Sequence, residues 1–479
     1  YDIRINYLLG QGKARDAVAV GSAVLASFGM RIPVKPGNGF IAWNYLMTRM
    51  KMIGTHAAEI DTRPSATNPR AIAIMRIINS LAAASYIGSI GFFLSAIFKT
   101  NQLMARYGNT DTSPLYYLGY AIVLATTGKI TEGYALGESG CALANAMGDA
   151  VQMFRTAFQM NVWIRHWKEP LRDSVDPLMD LYRRGVELGN FEYASYALCV
   201  RGYHLFHAGR NLTTISADVA KSIAGISKLN HEAILNLTRS GRQIVLNFMG
   251  ECEDPCRLKG DSYDEDAVTL TDTDHFYRMI LLYHFYRFDD ALEEARHVER
   301  RVRSFTCLAH VPVIVFYSSL ILLALIETRR KKDRKRFLKR IRKNQAQMRK
   351  WAAHAPMNYS HKLLLVEAEL QRVRGNFGAA MKRYEESIAA AHQNGYLHEE
   401  ALASELASHL YEANGFSVIA ATYMMRAHRC YTTWGGEGKT SFLEKRFPGR
   451  IRTYDPLAHA TSVLPTTTSG NISELLDVA

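Results

Sequence analysis

Apolar positions recur three and four residues apart along most of the chain, and no stretch alternates with the period of two that a half-buried strand needs. The clearest segment runs from His361 to Gln393. Leu363 to Leu370 forms a first helix, Gly375-Asn376-Phe377 breaks it, and Ala380, Tyr384, Ile388 and Ala391 give a second helix one apolar stripe. Small alanines on that stripe let the two helices approach, while Tyr384 fills the groove beside them. The residues ALASELASHLYEANG, and then about Ser417 to Trp434, repeat the hairpin.

The breaks act as a ruler. Gly375 and Gly415 stand 40 residues apart, and turn-like points fall earlier at Lys331, Arg287, Gly209, Lys168 and Gly128. Gly12-Lys13-Ala14-Arg15 opens a unit of the same kind. A recurring two-helix unit hides its apolar face only against its neighbours. The pattern therefore predicts an all-α chain: an α-solenoid of tetratricopeptide-like hairpins wound as a right-handed superhelix, with units longer than the usual ~34 residues. Residues 1–250 read as its first half and 275–455 as its second. The acidic, turn-rich segment 251–274 connects them, and residues 456–479 read as a linker toward a further domain.

Composition sharpens this. An apolar content of 48% with 22% charged residues describes a folded chain. Six scattered cysteines suit a reducing compartment, so a cytoplasmic location is expected. The first residue is Tyr1 and no signal-like segment follows, which reads as a piece of a longer protein. Two stretches test for a membrane span. Ile77 to Phe98 lacks charge but is diluted by Ser, Gly and Asn, and Val311 to Ile326 is short and holds Pro312. Buried helices explain both, and no span is expected.

The net charge of +13 is concentrated in one place. Arg329, Arg330, Lys331, Lys332, Arg334, Lys335, Arg336, Lys339, Arg340, Arg342 and Lys343 surround a single acid, Asp333. The run reads first as a solvated helix face, with Phe337, Leu338 and Ile341 buried and the basic stems lying over them. Its functional reading is a docking patch for an acidic protein. Nucleic acid is not expected, because no aromatic platform interleaves the charges.

Enzyme motifs fail one by one. Gly-Lys-Thr at Gly438 to Thr440 suggests a phosphate-binding loop, but Thr433 stands where that loop needs glycine, and the preceding residues are helical. Gly435 and Gly436 read instead as a helix end. Cys252 and Cys256 lack a second ligand pair, and His354, His361 and His398 lack metalloprotease spacing. No catalytic, metal or cofactor residue is assigned.

The segment from Lys343 to Gly415, with its continuation to Pro448, resembles the helical region of large hybrid signalling kinases. The marks are Asn344, Trp351, Pro356, Asn358, Tyr359, His361, Lys362, Glu399, Glu400, Trp434, Gly435 and Lys439. YGNTDTSPLYYLGYAIVL and ECEDPCRLKGDSYDED fit the same family, and the likeness spans roughly residues 1–455. In such proteins a kinase-like domain and an AAA-type ATPase module precede this region, and GAF and histidine-kinase domains follow. The resemblance implies a non-catalytic scaffold that couples the ATPase to the kinase. ATP then belongs to other domains, and the partners are those domains or a peptide ligand. A standalone adaptor that docks an acidic protein on the basic run is the alternative.

Overall fold

The computed structural model describes residues 2–52, 60, 62–301 and 308–451, so the expected linker 456–479 and Cys307 lie outside the described residues. Among them the chain is all-α, with two isolated β-bridges as its only extended pairing. The first helices are α1 (Asp2–Gly10), α2 (Ala14–Ser27), α3 (Asn38–Met52), α4 (Pro69–Ser80), α5 (Ala82–Gly88) and α6 (Ile90–Tyr107). Next come α7 (Ser113–Thr126), α8 (Ile130–Met147), α9 (Ala150–Gln159), α10 (Val175–Glu187), α11 (Phe191–His207), α12 (Leu212–Ser227) and α13 (Glu232–Met249). The array continues with α14 (Asp272–His284), α15 (Phe288–Arg301), α16 (His310–Leu325), α17 (Lys331–His354) and α18 (Pro356–Val373). It ends with α19 (Phe377–Gln393), α20 (Leu397–Ala413), α21 (Ser417–Trp434) and α22 (Glu437–Arg446).

Helices adjacent in sequence pack against each other along most of the chain, which is the arrangement of an α-solenoid. The regular part has a simple metric: α18 to α21 are 17 or 18 residues long, with three-residue turns between α18, α19, α20 and α21. That accounts for the 40-residue unit, because each helix is longer than those of the shorter repeat. Gly375, Gly395, Gly415 and Gly435 all have positive φ, so a left-handed residue closes every helix and not only every second one. The stripe Ala380, Tyr384, Ile388 and Ala391 is buried as its spacing predicts.

Two large cores form. One runs from Ile5 to Ile164 and the other from Ala125 to Leu443. The second takes in residues on both sides of 251–274, and that segment is itself packed. Asn247 Nδ2 donates to the carbonyls of Pro255 (3.2 Å) and Arg257 (2.5 Å), while Gln243 Oε1 accepts from the Ser262 amide (3.0 Å). Thr271 and Asp274 then form a capping box that starts α14.

The two apolar stretches resolve differently. Ile77 to Phe98 is no single helix; it is divided at Leu81 and Ser89 among α4, α5 and α6. The segment His310–Thr328 is long and apolar enough to cross a bilayer, yet it lies mostly buried against its neighbours. The basic run occupies the first half of one helix, α17, with Arg329 and Arg330 just before it.

Candidate functional site: a charged seam between turns of the array

The chain coils back on itself. Between α9 and α10 it passes through a π-helical turn (Met160–Ile164) and two 3₁₀ turns (Arg165–Trp167 and Leu171–Ser174). Irregular turns leave backbone groups without helical partners, and buried ones must find others. Asn358, in the first turn of α18, supplies them. Its Nδ2 donates to the carbonyls of His166 (2.8 Å) and Glu169 (2.7 Å). Its Oδ1 accepts from the Leu171 amide (3.0 Å) and the Tyr396 hydroxyl (2.9 Å). All four hydrogen-bonding positions of the amide are thereby filled. Tyr359 bonds His166 at Nδ1 (2.7 Å), and Trp167 packs on Trp351 with ring centroids 5.5 Å apart. Apart from Asn358–Tyr396, these pairs lie 184 to 193 positions apart in the chain.

The same seam continues along the next hairpins. At Gly209 a Cβ would sit 2.7 Å from His398 Nδ1. Asn211 donates to the Thr433 carbonyl (3.0 Å), next to Trp434 and Gly435. His398 stacks on Trp434, which packs edge-on against Phe248. At Gly438 a Cβ would meet the Gly250 amide nitrogen at 2.7 Å, so two glycines bring the ends of α13 and α22 together. The interior of the coil is consequently filled by the protein's own side chains.

Charged residues are buried within it. Lys362 Nζ lies 2.7 Å from Glu399 Oε2, and both side chains are 3% exposed. The ammonium also donates to the Asn358 carbonyl (3.3 Å) and sits over the Tyr396 ring (4.5 Å). His361 Nε2 contacts the same carboxylate oxygen, and its Nδ1 has no partner. Burial, together with the adjacent Lys362, holds the imidazole down to about 4, so it is neutral and donates from Nε2. Burial alone would raise the Glu399 carboxyl; Lys362 and His361 outweigh it and hold the group well below its ordinary value. Glu400 faces outward to Arg426 (2.9 Å) and His392 (2.9 Å). Glu399 and Glu400 both lie in the first turn of α20, where the helix dipole favours acids.

A second buried pair answers the Gly-Lys-Thr motif. Lys439 is fully buried in α22, its Nζ 2.8 Å from Glu405 Oε1 and 2.6 Å from the His284 carbonyl. Tyr286 and Tyr431 donate to the two oxygens of Glu405, at 2.7 and 2.8 Å. The lysine that a phosphate loop would present to nucleotide is thus part of the core. Gly435, in the left-handed region (φ 89°), caps α21 as expected.

The structure brings Trp351, Asn358, His361, Lys362, Glu399 and Trp434 together along one seam, with Pro356 as the first residue of α18 and Gly435 as the cap of α21. Sequence reasoning missed Glu405, His166 and Tyr396. No local signal singled out Glu405: by helical spacing it shares a face with His398, His409 and Glu412, so it reads as one member of an ordinary polar stripe.

The basic residues fall elsewhere. Arg329 pairs with Asp289 and Arg340 with Glu299 (3.1 Å). Phe337 and Ile341 are buried, as the structural reading of the run requires, and Leu338 is half-buried. Arg330, Lys331, Lys332, Arg334, Lys335, Arg336, Lys339, Arg342 and Lys343 are exposed, with no ion pair among the described residues. Several of these cations occupy the N-terminal turns of α17, where the helix dipole opposes positive charge. The patch therefore holds charge that the fold does not neutralise.

Fold and seam together define the class of protein: an α-solenoid of tetratricopeptide-like hairpins that winds back onto itself. No known protein family and no curated protein matches the sequence. Among solved structures, yeast Tom70 is similar at 11% identity over 89% of this chain and all of that one, with a TM-score of 0.29. A circular tandem repeat protein with novel repeat topology is similar at 12% identity, over 96% and 97% of the two chains, with a TM-score of 0.15. Superpositions this loose carry no argument about function.

Proposed function

We propose that this chain is a non-catalytic helical-repeat scaffold within a multidomain signal-transduction protein of the hybrid-kinase kind, relaying a change between an ATPase module and a downstream kinase. The reading rests on the resemblance along residues 1–455. One observation supports it most. Most residues that carry the likeness, Pro356 and Gly435 apart, are not spread over a surface but buried where one turn of the array meets the next. Side chains that join successive turns fix the curvature of a solenoid, because each repeat otherwise touches only its neighbours. A load at one end of such a coil reaches the other without being absorbed by loosely jointed repeats. The filled interior also moves any protein partner to the outer surface.

The test uses the full-length parent. Deleting the array, or loosening the seam with Asn358→Leu, is expected to uncouple nucleotide state from phosphotransfer while leaving the kinase active. Unchanged control in both variants refutes the relay. A thermal-shift screen of this chain with magnesium–ATP is expected to show no stabilisation, and a concentration-dependent rise in Tm refutes the non-catalytic assignment.

The second reading, an adaptor docking an acidic protein on α17, is favoured by its exposed, unpaired cations. It requires binding that weakens steeply with salt and vanishes when Lys331, Lys335, Arg336 and Lys339 become glutamine.

A further inference from the structure

Helix α3 is apolar on both sides. Inward, Phe40, Ile41, Tyr45 and Met52 pack on the core around the buried Asn44 and Thr48, and Gln102 donates to the Asn44 carbonyl (3.2 Å) and to Thr48 Oγ1 (3.0 Å). Outward, Trp43, Leu46 and Met50 are left 61%, 50% and 55% exposed at helical spacing. An amphipathic helix on a globular core turns a polar face to solvent instead. Gly91 lies against Pro36 and Ile41 on the inward side of α3, and the adjoining Ile87 and Ile90 are exposed as well.

The charges around this face are mostly basic. Residues 31–110 hold nine lysines and arginines and two acids, and Glu132 of α8, which does reach α3, is paired with Arg49. Arg31 and Lys35 are exposed just before α3, and Lys51 is exposed in its last turn. Like charge on both sides opposes pairing of two copies through this face. The exposed stripe, with Gly39 and Ala42 beside the three large residues, offers no hydrogen-bonding group beyond the Trp43 indole with which to specify a protein partner. An apolar stripe with cations at both ends is what an anionic lipid surface accepts: side chains enter below the headgroups, indole stays at the interface, and ammonium and guanidinium groups meet phosphate.

We propose that the outward face of α3 is a membrane-surface site, seating Trp43, Leu46 and Met50 in an anionic lipid leaflet without spanning it. The experiment is co-sedimentation of the full chain with vesicles of phosphatidylcholine alone and of roughly 3:1 phosphatidylcholine–phosphatidylserine. Two variants accompany it: Trp43→Ser/Leu46→Ser/Met50→Ser, and Lys331→Gln/Lys335→Gln/Arg336→Gln/Lys339→Gln on α17. Wild type is expected to pellet with the anionic vesicles and not the neutral ones. The α3 variant is expected to lose association about tenfold or more with unchanged helicity, and the α17 variant to retain it. Three results overturn the proposal: no vesicle association by wild type, full association by the α3 variant, or loss in the α17 variant alone. A protein captured on this face by a chain that ignores both vesicles also overturns it.

Discussion

Replacing Lys362 by methionine keeps the stem and removes the ammonium, leaving Glu399 at 3% exposure with only two neutral histidines, His361 and (at 3.7 Å) His398, beside it. Stranding one member of a buried ion pair costs about 3–5 kcal/mol, because the remaining charge loses both water and partner. A second change, Glu399→Met, removes that stranded charge. It leaves the His361 Nε2–H unpartnered, at about 1–3 kcal/mol, so the double variant is expected to be more stable than Lys362→Met alone. A long repeat array need not unfold in one step, so a local probe reports on this one pair better than a single global midpoint. Hydrogen exchange in α18 and α20 reads the local free energy directly. At a factor of ten per ~1.4 kcal/mol, Lys362→Met should speed exchange there by roughly 10²- to 10³-fold, with Glu399→Met in the same background recovering part of it. Acceleration of less than about fivefold in the single variant, or a double variant worse than both singles, refutes the claim that this pair holds the seam.

Acid should weaken the fold early. Burial holds His361, His398 and His409 down to about 4, and His310 to about 3. Unfolded histidines titrate near 6.5, so between pH 6.5 and 4 the unfolded chain binds more protons. Stability is then full above 6.5 and falls with pH, by up to about 1.4 kcal/mol per unit per histidine; a Tm constant from pH 8 to 5 contradicts this. Gly438→Ala places a Cβ against the Gly250 backbone, which cannot yield as a side chain does, and should cost about 1–3 kcal/mol, read as faster exchange in α22. Asn358→Leu empties four hydrogen bonds at once and should raise exchange in the turn 165–174 more than in α19. Neutralising four cations of α17 should leave the stability read by hydrogen exchange in that helix within about 0.5 kcal/mol of wild type, since those side chains are exposed and unpaired.

What the sequence determined by itself was everything set within one helix or one hairpin. The stripe Ala380, Tyr384, Ile388 and Ala391, the glycine stops and the 40-residue unit follow from helical periodicity and from the residue that tolerates positive φ, both local properties. The demotion of Gly-Lys-Thr was local too, because the glycine it needs is absent at Thr433. Tertiary structure decided where the polar residues go. Nothing near Asn358 in sequence announces that its partners are His166, Glu169 and Leu171, and Lys439 looks like an exposed lysine until Glu405 and the His284 carbonyl close around it. The same holds for α3, which is apolar on both sides, so hydropathy cannot say that Tyr45 packs on the core while Trp43 is left exposed. Periodicity tells a helix which residues share a face; only the packing of turns distant in sequence tells it which face is inside.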